Sequence, residues 1–95
     1  MSRRAKIEQI VFSAIDDLNR HRQENEKVVP KPETLIMGPG SALDSLGLVT
    51  LCVDLEERVQ REFGKSPQLV AALVGKGGGA SVSSLIELVD SLLHE

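Results

Sequence analysis

The side chains of this sequence that could attack an electrophile or move a proton are its serines, His21, His94 and Cys52. A serine nucleophile working as a hydrolase needs a histidine base and an acid to orient it. His21 and His94 fall at the ends of helical patterns with no motif around them, and no Gly-x-Ser-x-Gly turn is present. Cys52 is the single cysteine and lies on an apolar stripe, where a small core residue is the expected role. Cys/His clusters with metal-ligand spacing are absent. Gly75-Lys76-Gly77 lacks both the Walker spacing and a preceding strand, so a flexible connector is expected there. Ser45 stands apart. It sits in Gly40-Ser41-Ala42-Leu43-Asp44-Ser45-Leu46-Gly47-Leu48, where a loop rich in proline and glycine gives way to a helical pattern. Either Asp44 or Ser45 fits an N-cap. Backbone N–H groups at that helix end favour a phosphate, so a phosphate ester on Ser45 would have its charge partly stabilised.

The elements that must position Ser45 follow from apolar spacing. Ile7, Ile10, Val11, Ala14, Ile15 and Leu18 recur every three or four positions and predict a first helix over roughly residues 4–21. Arg20 and Arg22 suit the negative pole at its end, on a solvated face. Pro30, Pro32 and Gly38-Pro39-Gly40 break the pattern across residues 23–43, with Leu35, Ile36 and Met37 expected to pin this long loop to the core. The second helix is expected over about 45–63, ended by Gly64 and Pro67. A short third helix over about 67–74 and a glycine connector lead to the last helix. That helix starts at Ser81 or at Ser84; Ser84 and Glu87 have capping-box spacing, whereas Ser81 gives the longer helix. No segment alternates as a strand does. The expectation is an all-α, four-helix bundle of three long helices and one short one, a single domain spanning 1–95.

Composition narrows the function classes. The chain has 95 residues, a formal net charge of −3 and only 2% aromatic residues, which leaves little on which nucleic-acid bases could stack. The polar start, Ser2 to Lys6, lacks the apolar run of a secretory signal, and no segment is long enough to span a bilayer. A cytoplasmic monomer that binds no nucleic acid and does not insert stably into membranes is expected.

The second helix carries two apolar faces. Leu48, Leu51, Cys52, Leu55 and Val59 form one stripe, sufficient to join a core. Leu46, Val49 and Val53 fall nearly opposite, with Glu56 and Glu57 extending that side by a turn. Three other helical segments are too few and too polar to bury the second stripe, which reads as a docking surface with an apolar centre and an acidic rim.

Asp44-Ser45-Leu46 at the head of such a helix, after a long loop and ahead of a last helix opening with Ser81-Val82, resembles the attachment motif of acyl carrier proteins and their peptidyl-carrier relatives. The resemblance runs along nearly the whole chain. It implies an acyl-carrier-like fold and a non-enzymatic carrier. A separate Mg²⁺-dependent phosphopantetheinyl transferase would place 4′-phosphopantetheine from coenzyme A on Ser45. Acyl- or aminoacyl-loading ligases and acyl-transferring enzymes would then be further partners. By matching positions it also implies that Asp44 contributes to the transferase's metal and cation-binding surface. Leu46, Val49 and Val53 would be apolar partner contacts, and Glu56 and Glu57 acidic ones. Gly47 and Thr50 depart from the acidic residues usual there in fatty-acid carriers, and a glycine-rich connector replaces an acidic segment near the third helix. Those departures point to a specialised biosynthetic pathway, and Gly47 is expected to loosen the turn after Ser45. The competing expectation is a helical interaction module that docks through the second helix, with Ser45 only as its cap.

Overall fold

The structure, a computed structural model, describes residues 2–76 and 79–93. The first apolar stripe folds as helix α1, Arg3–Asn19, capped by the Ser2 hydroxyl, which accepts from the Ala5 N–H at 3.1 Å. Its Ile7, Val11, Ala14 and Ile15 are buried, while Ile10 and Leu18 pack against the core from its edge. Helix α2, Ser45–Phe63, buries Leu51, Cys52, Leu55 and Val59 against α1. It stops at Gly64, whose φ of 74° is the left-handed conformation that glycine adopts at low cost. A short helix α3, Leu69–Lys76, packs on α2, and α4, Val82–Leu93, packs on α1. The side chains of Leu69, Leu73, Leu85, Ile86 and Val89 complete the core.

Two elements differ from the expected all-helical layout. Leu35–Met37 forms strand β1 and Ala80–Ser81 forms strand β2, paired antiparallel with Leu35 opposite Ser81 and Met37 opposite Ala80. Strands this short, with a register irregularity between Leu35 and Met37, cannot produce a readable alternation. The expected pinning role is met by Ile36, which is fully buried in β1 while Leu35 faces out. The ladder also organises the start of α4. Val82 N–H donates to the Thr34 carbonyl at 2.9 Å, and Ser83 N–H to the Pro32 carbonyl at 2.8 Å. Ser81 is the residue that caps α4: its hydroxyl accepts from Ser84 N–H, and Ser84 Oγ accepts from Ser81 N–H, each at 3.1 Å. The reciprocal pair is thus Ser81 with Ser84, and Glu87 takes no part in it.

The rest of the long loop is tied by polar contacts. Asn19 uses both ends of its side-chain amide on Val28, accepting from its N–H and donating to its carbonyl, each at 2.8 Å. That pair mimics a ladder bond and lets Val28 bury fully without orphaned backbone groups. A 3₁₀ turn, Glu24–Glu26, precedes it. Between α1 and α2, Arg58 bonds Asp54 at 3.0 Å and also Asp17. The bond from Arg58 holds the Asp17 carboxyl below its usual value. No helix among the described residues is long and apolar enough to cross a membrane.

Candidate functional site

The first turn of α2 is built around Asp44. Asp44 has extended backbone, and its Oδ1 accepts from Gly47 N–H at 2.7 Å, so Asp44 is the N-cap and Ser45 the first helical residue. This decides between the two capping candidates and removes the capping role from Ser45. The Ser45 side chain is exposed, and its hydroxyl makes no hydrogen bond to another described residue. It stands at the helix end where unsatisfied N–H groups and the dipole favour an anionic substituent. Leu43 anchors the approach to this turn in the core, and Ser41 Oγ accepts from Leu43 N–H at 3.1 Å.

Gly47, expected to loosen the turn by its helix propensity, is closely surrounded in the structure. It is buried, and a Cβ added there would lie 3.1 Å from Asp44 Oδ1, 3.2 Å from Leu43 Cδ2 and 3.3 Å from Arg22 Nη1. Glycine at this position lets three side chains close over the turn. Arg22, expected on a solvated helix face, instead reaches the site, donating from Nη2 to the Ala42 carbonyl at 3.3 Å.

Beside Ser45 a cavity of about 250 Å³ opens between β1, α2 and α3. Its walls are Met37, Leu48, Val49, Cys52, Val70, Leu73 and Val74, with Ser45 the one hydroxyl on its lining. Engineered apolar cavities of about 150 Å³ stay dry and bind benzene, so this space is ample for a short hydrocarbon segment. Cys52 is on the core stripe as the sequence indicated, yet it also lines this cavity. Burial, with a smaller push from Glu56, raises its thiol to about 11, which keeps it protonated and a weak nucleophile at neutral pH.

The outer stripe of α2 is open to solvent: Leu46 is 75% exposed, Val49 42% and Val53 46%. Val74 of α3, 71% exposed, extends the apolar surface and was not evident from α2's pattern alone. The two acidic positions diverge. Glu57 is exposed, at 4.0 Å from Arg61. Glu56 is half-buried, and its Oε2 accepts from Leu69 N–H at 2.8 Å. Glu56 therefore caps the start of α3, and Glu57 is the freer carboxylate of the pair.

His21 is not brought to Ser45; it lines a separate groove between α1 and α2 with Leu18, Thr50 and Arg58. His94 and the Gly77-Gly78 part of the connector lie outside the described residues. No three His, Cys, Asp or Glu side chains among the described residues gather as a metal site would require. Comparisons of the chain with models of known protein families, with curated proteins and with solved structures find no match.

Proposed function

We propose that this chain is an acyl carrier protein: Ser45 bears 4′-phosphopantetheine and passes acyl or aminoacyl groups between partner enzymes in a specialised biosynthetic pathway. The carrying observation is the state of Ser45, an exposed hydroxyl with no bond to a described residue, relieved of capping by Asp44 and placed at the mouth of an apolar cavity. The residues fit the group on two counts. The α2 N-terminus favours the phosphodiester's charge, and the mainly apolar cavity suits an apolar cargo better than a charged one.

In the attachment step the Ser45 hydroxyl attacks the phosphorus that bears pantetheine in coenzyme A. The new bond is Oγ–P, the P–O bond to the adenosine bisphosphate breaks, and the hydroxyl proton leaves to a base on the transferase. When bound, the arm supplies a thiol on which cargo is held as a thioester. The chain's own part is presentation. Asp44 fixes the first turn, and its other carboxylate oxygen remains available to the transferase's cation-binding surface. Leu46, Val49 and Val53 offer a small apolar contact, and Glu57 an electrostatic one. Small charged interfaces favour fast encounter and release, as a carrier visiting several enzymes in the cytoplasm needs.

The exposed stripe also favours a second reading, an interaction module that docks through α2 and makes no use of the Ser45 hydroxyl. Ser45→Ala separates the two. Because Ser45 caps nothing, the variant should keep native helicity and thermal stability in either case. A module would keep full partner binding and pathway activity; a carrier loses activity altogether. A folded, active Ser45→Ala protein would overturn the carrier reading.

A further inference from the structure

Arg22 lies just beyond α1, and the carrier reading gives it no task. Its guanidinium makes two hydrogen bonds to separate parts of the chain and stands beside Gly47. Nε donates to the Glu26 carbonyl at 2.8 Å, Nη2 donates to the Ala42 carbonyl at 3.3 Å, and Nη1 lies 3.3 Å from where a Gly47 Cβ would stand. Among the described residues no carboxylate lies within ion-pair distance of it. It stands beside the first turn of α2, on the same side of Gly47 as the Asp44 carboxylate, and the two carbonyls are the groups it bonds.

The segment it grips has little else to hold it. Between Gly38 and Asp44 the remaining hydrogen bonds are local: Ser41 N–H to the Gly38 carbonyl, Ser41 Oγ with Leu43, and Asp44 with α2's own first turn. Gly38 and Gly40 both have positive φ, at 101° and 84°, so this stretch is built from flexible units. Arg22 to Ala42 is the one hydrogen bond among described residues that ties it to a distant part of the chain. Leu43, buried in the core, is the apolar anchor alongside.

We infer that Arg22 is a positioning residue for the chemistry at Ser45. Its planar fork clamps the Ala42–Ser45 turn and fixes the angle at which the Ser45 hydroxyl is presented, with Gly47 as the recess that admits it. A guanidinium holds two carbonyls in fixed geometry, whereas a lysine ammonium on a flexible stem does not. What Ser45 is presented for rests on the carrier reading; the clamp itself does not.

The test uses the full chain with coenzyme A, Mg²⁺ and a broad-specificity phosphopantetheinyl transferase, comparing native, Arg22→Ala and Arg22→Lys. A displacement near 1 Å at a reacting group costs up to about a hundredfold in rate. Arg22→Ala should therefore lower kcat about ten- to a hundredfold with KM nearly unchanged, since the docking stripe is intact. Arg22→Lys, which keeps the charge, should recover little of the loss. Native-state amide exchange at residues 43–47 should accelerate in both variants, while the core amides of α4 keep their protection. Native kcat in Arg22→Ala, full rescue by lysine, or faster exchange spread evenly over every helix would each overturn the clamp. If Arg22→Ala fails to fold, Arg22→Lys is read by the same criteria. If the native chain accepts no arm, the carrier reading falls, and exchange at 43–47 alone decides the clamp: unchanged exchange overturns it.

Discussion

Val53→Asp and Leu55→Ala, two residues apart on α2, should have opposite consequences. Val53 is 46% exposed and Leu55 fully buried. Fully burying a valine or leucine side chain is worth about 1.5–3 kcal/mol, so the half of Val53 that is covered contributes about 1 kcal/mol. Valine and aspartate have nearly equal helix propensities, so that exchange adds little. Leu55→Ala instead opens a hole in the core, at about 2–5 kcal/mol. At about 4–8 °C per kcal/mol for a domain of this size, Val53→Asp should lower Tm by roughly 4–8 °C and Leu55→Ala by roughly 8–40 °C. Circular dichroism melts of the three proteins measure this directly. Modification kinetics should separate them the other way: Val53→Asp raises KM for the transferase while leaving kcat near native. Leu55→Ala, assayed below its melting point, keeps the native KM. Were Val53→Asp to unfold the protein as fully as Leu55→Ala, the aspartate would have entered a core, and the assignment of the outer stripe to a docking face would be refuted.

Other expected outcomes concern buried and paired groups. Glu56→Ala removes the cap from α3 and should cost about 1 kcal/mol, with amide exchange rising in α3 before α1 or α4; exchange confined elsewhere would contradict the capping role. Cys52, raised from 9.0 to about 11, holds about a hundredfold less thiolate at pH 8 than an unshifted thiol. Labelling of the native protein should be slower by at least that factor than labelling of the urea-unfolded chain, and should climb about tenfold per pH unit up to pH 10. Equal rates would place Cys52 outside the core. The lowered Asp17 carboxyl stabilises the fold above about pH 4, and this contribution is lost as pH falls through its folded value. Asp17→Asn should therefore flatten the fall in Tm below about pH 4; an unchanged acid limb would show that the bond to Arg58 does not act on stability.

The three longer helices were legible because each carries an apolar stripe over three or more turns, and α1 and α2 begin and end within two residues of the expected limits. The two strands were not, because a three-residue and a two-residue strand are too short for alternation to register. The site was legible as a position but not as an arrangement. Ser45 stood out from its helix-initiating context, but Asp44 and Ser45 are adjacent, and a one-residue difference in helix start decides which of them caps. Glu56 was grouped with Glu57 on the outer face, yet a glutamate's reach carries its carboxylate to the start of α3, which α2's own period cannot reveal. The cavity depends on where α3 and β1 come to rest against α2, so Val70, Leu73, Val74 and Met37 gave no advance signal. Gly47 read as a weak point by propensity, and it is the gap that Asp44, Leu43 and Arg22 close over.

The carrier reading stands most directly on whether Ser45 accepts the arm. Intact mass should be measured after incubating the native protein and Ser45→Ala with coenzyme A, Mg²⁺ and a phosphopantetheinyl transferase shown to be active on another carrier. The account predicts a gain of one phosphopantetheine on the native protein and none on Ser45→Ala. No gain on the native protein, or an equal gain on both, would contradict it.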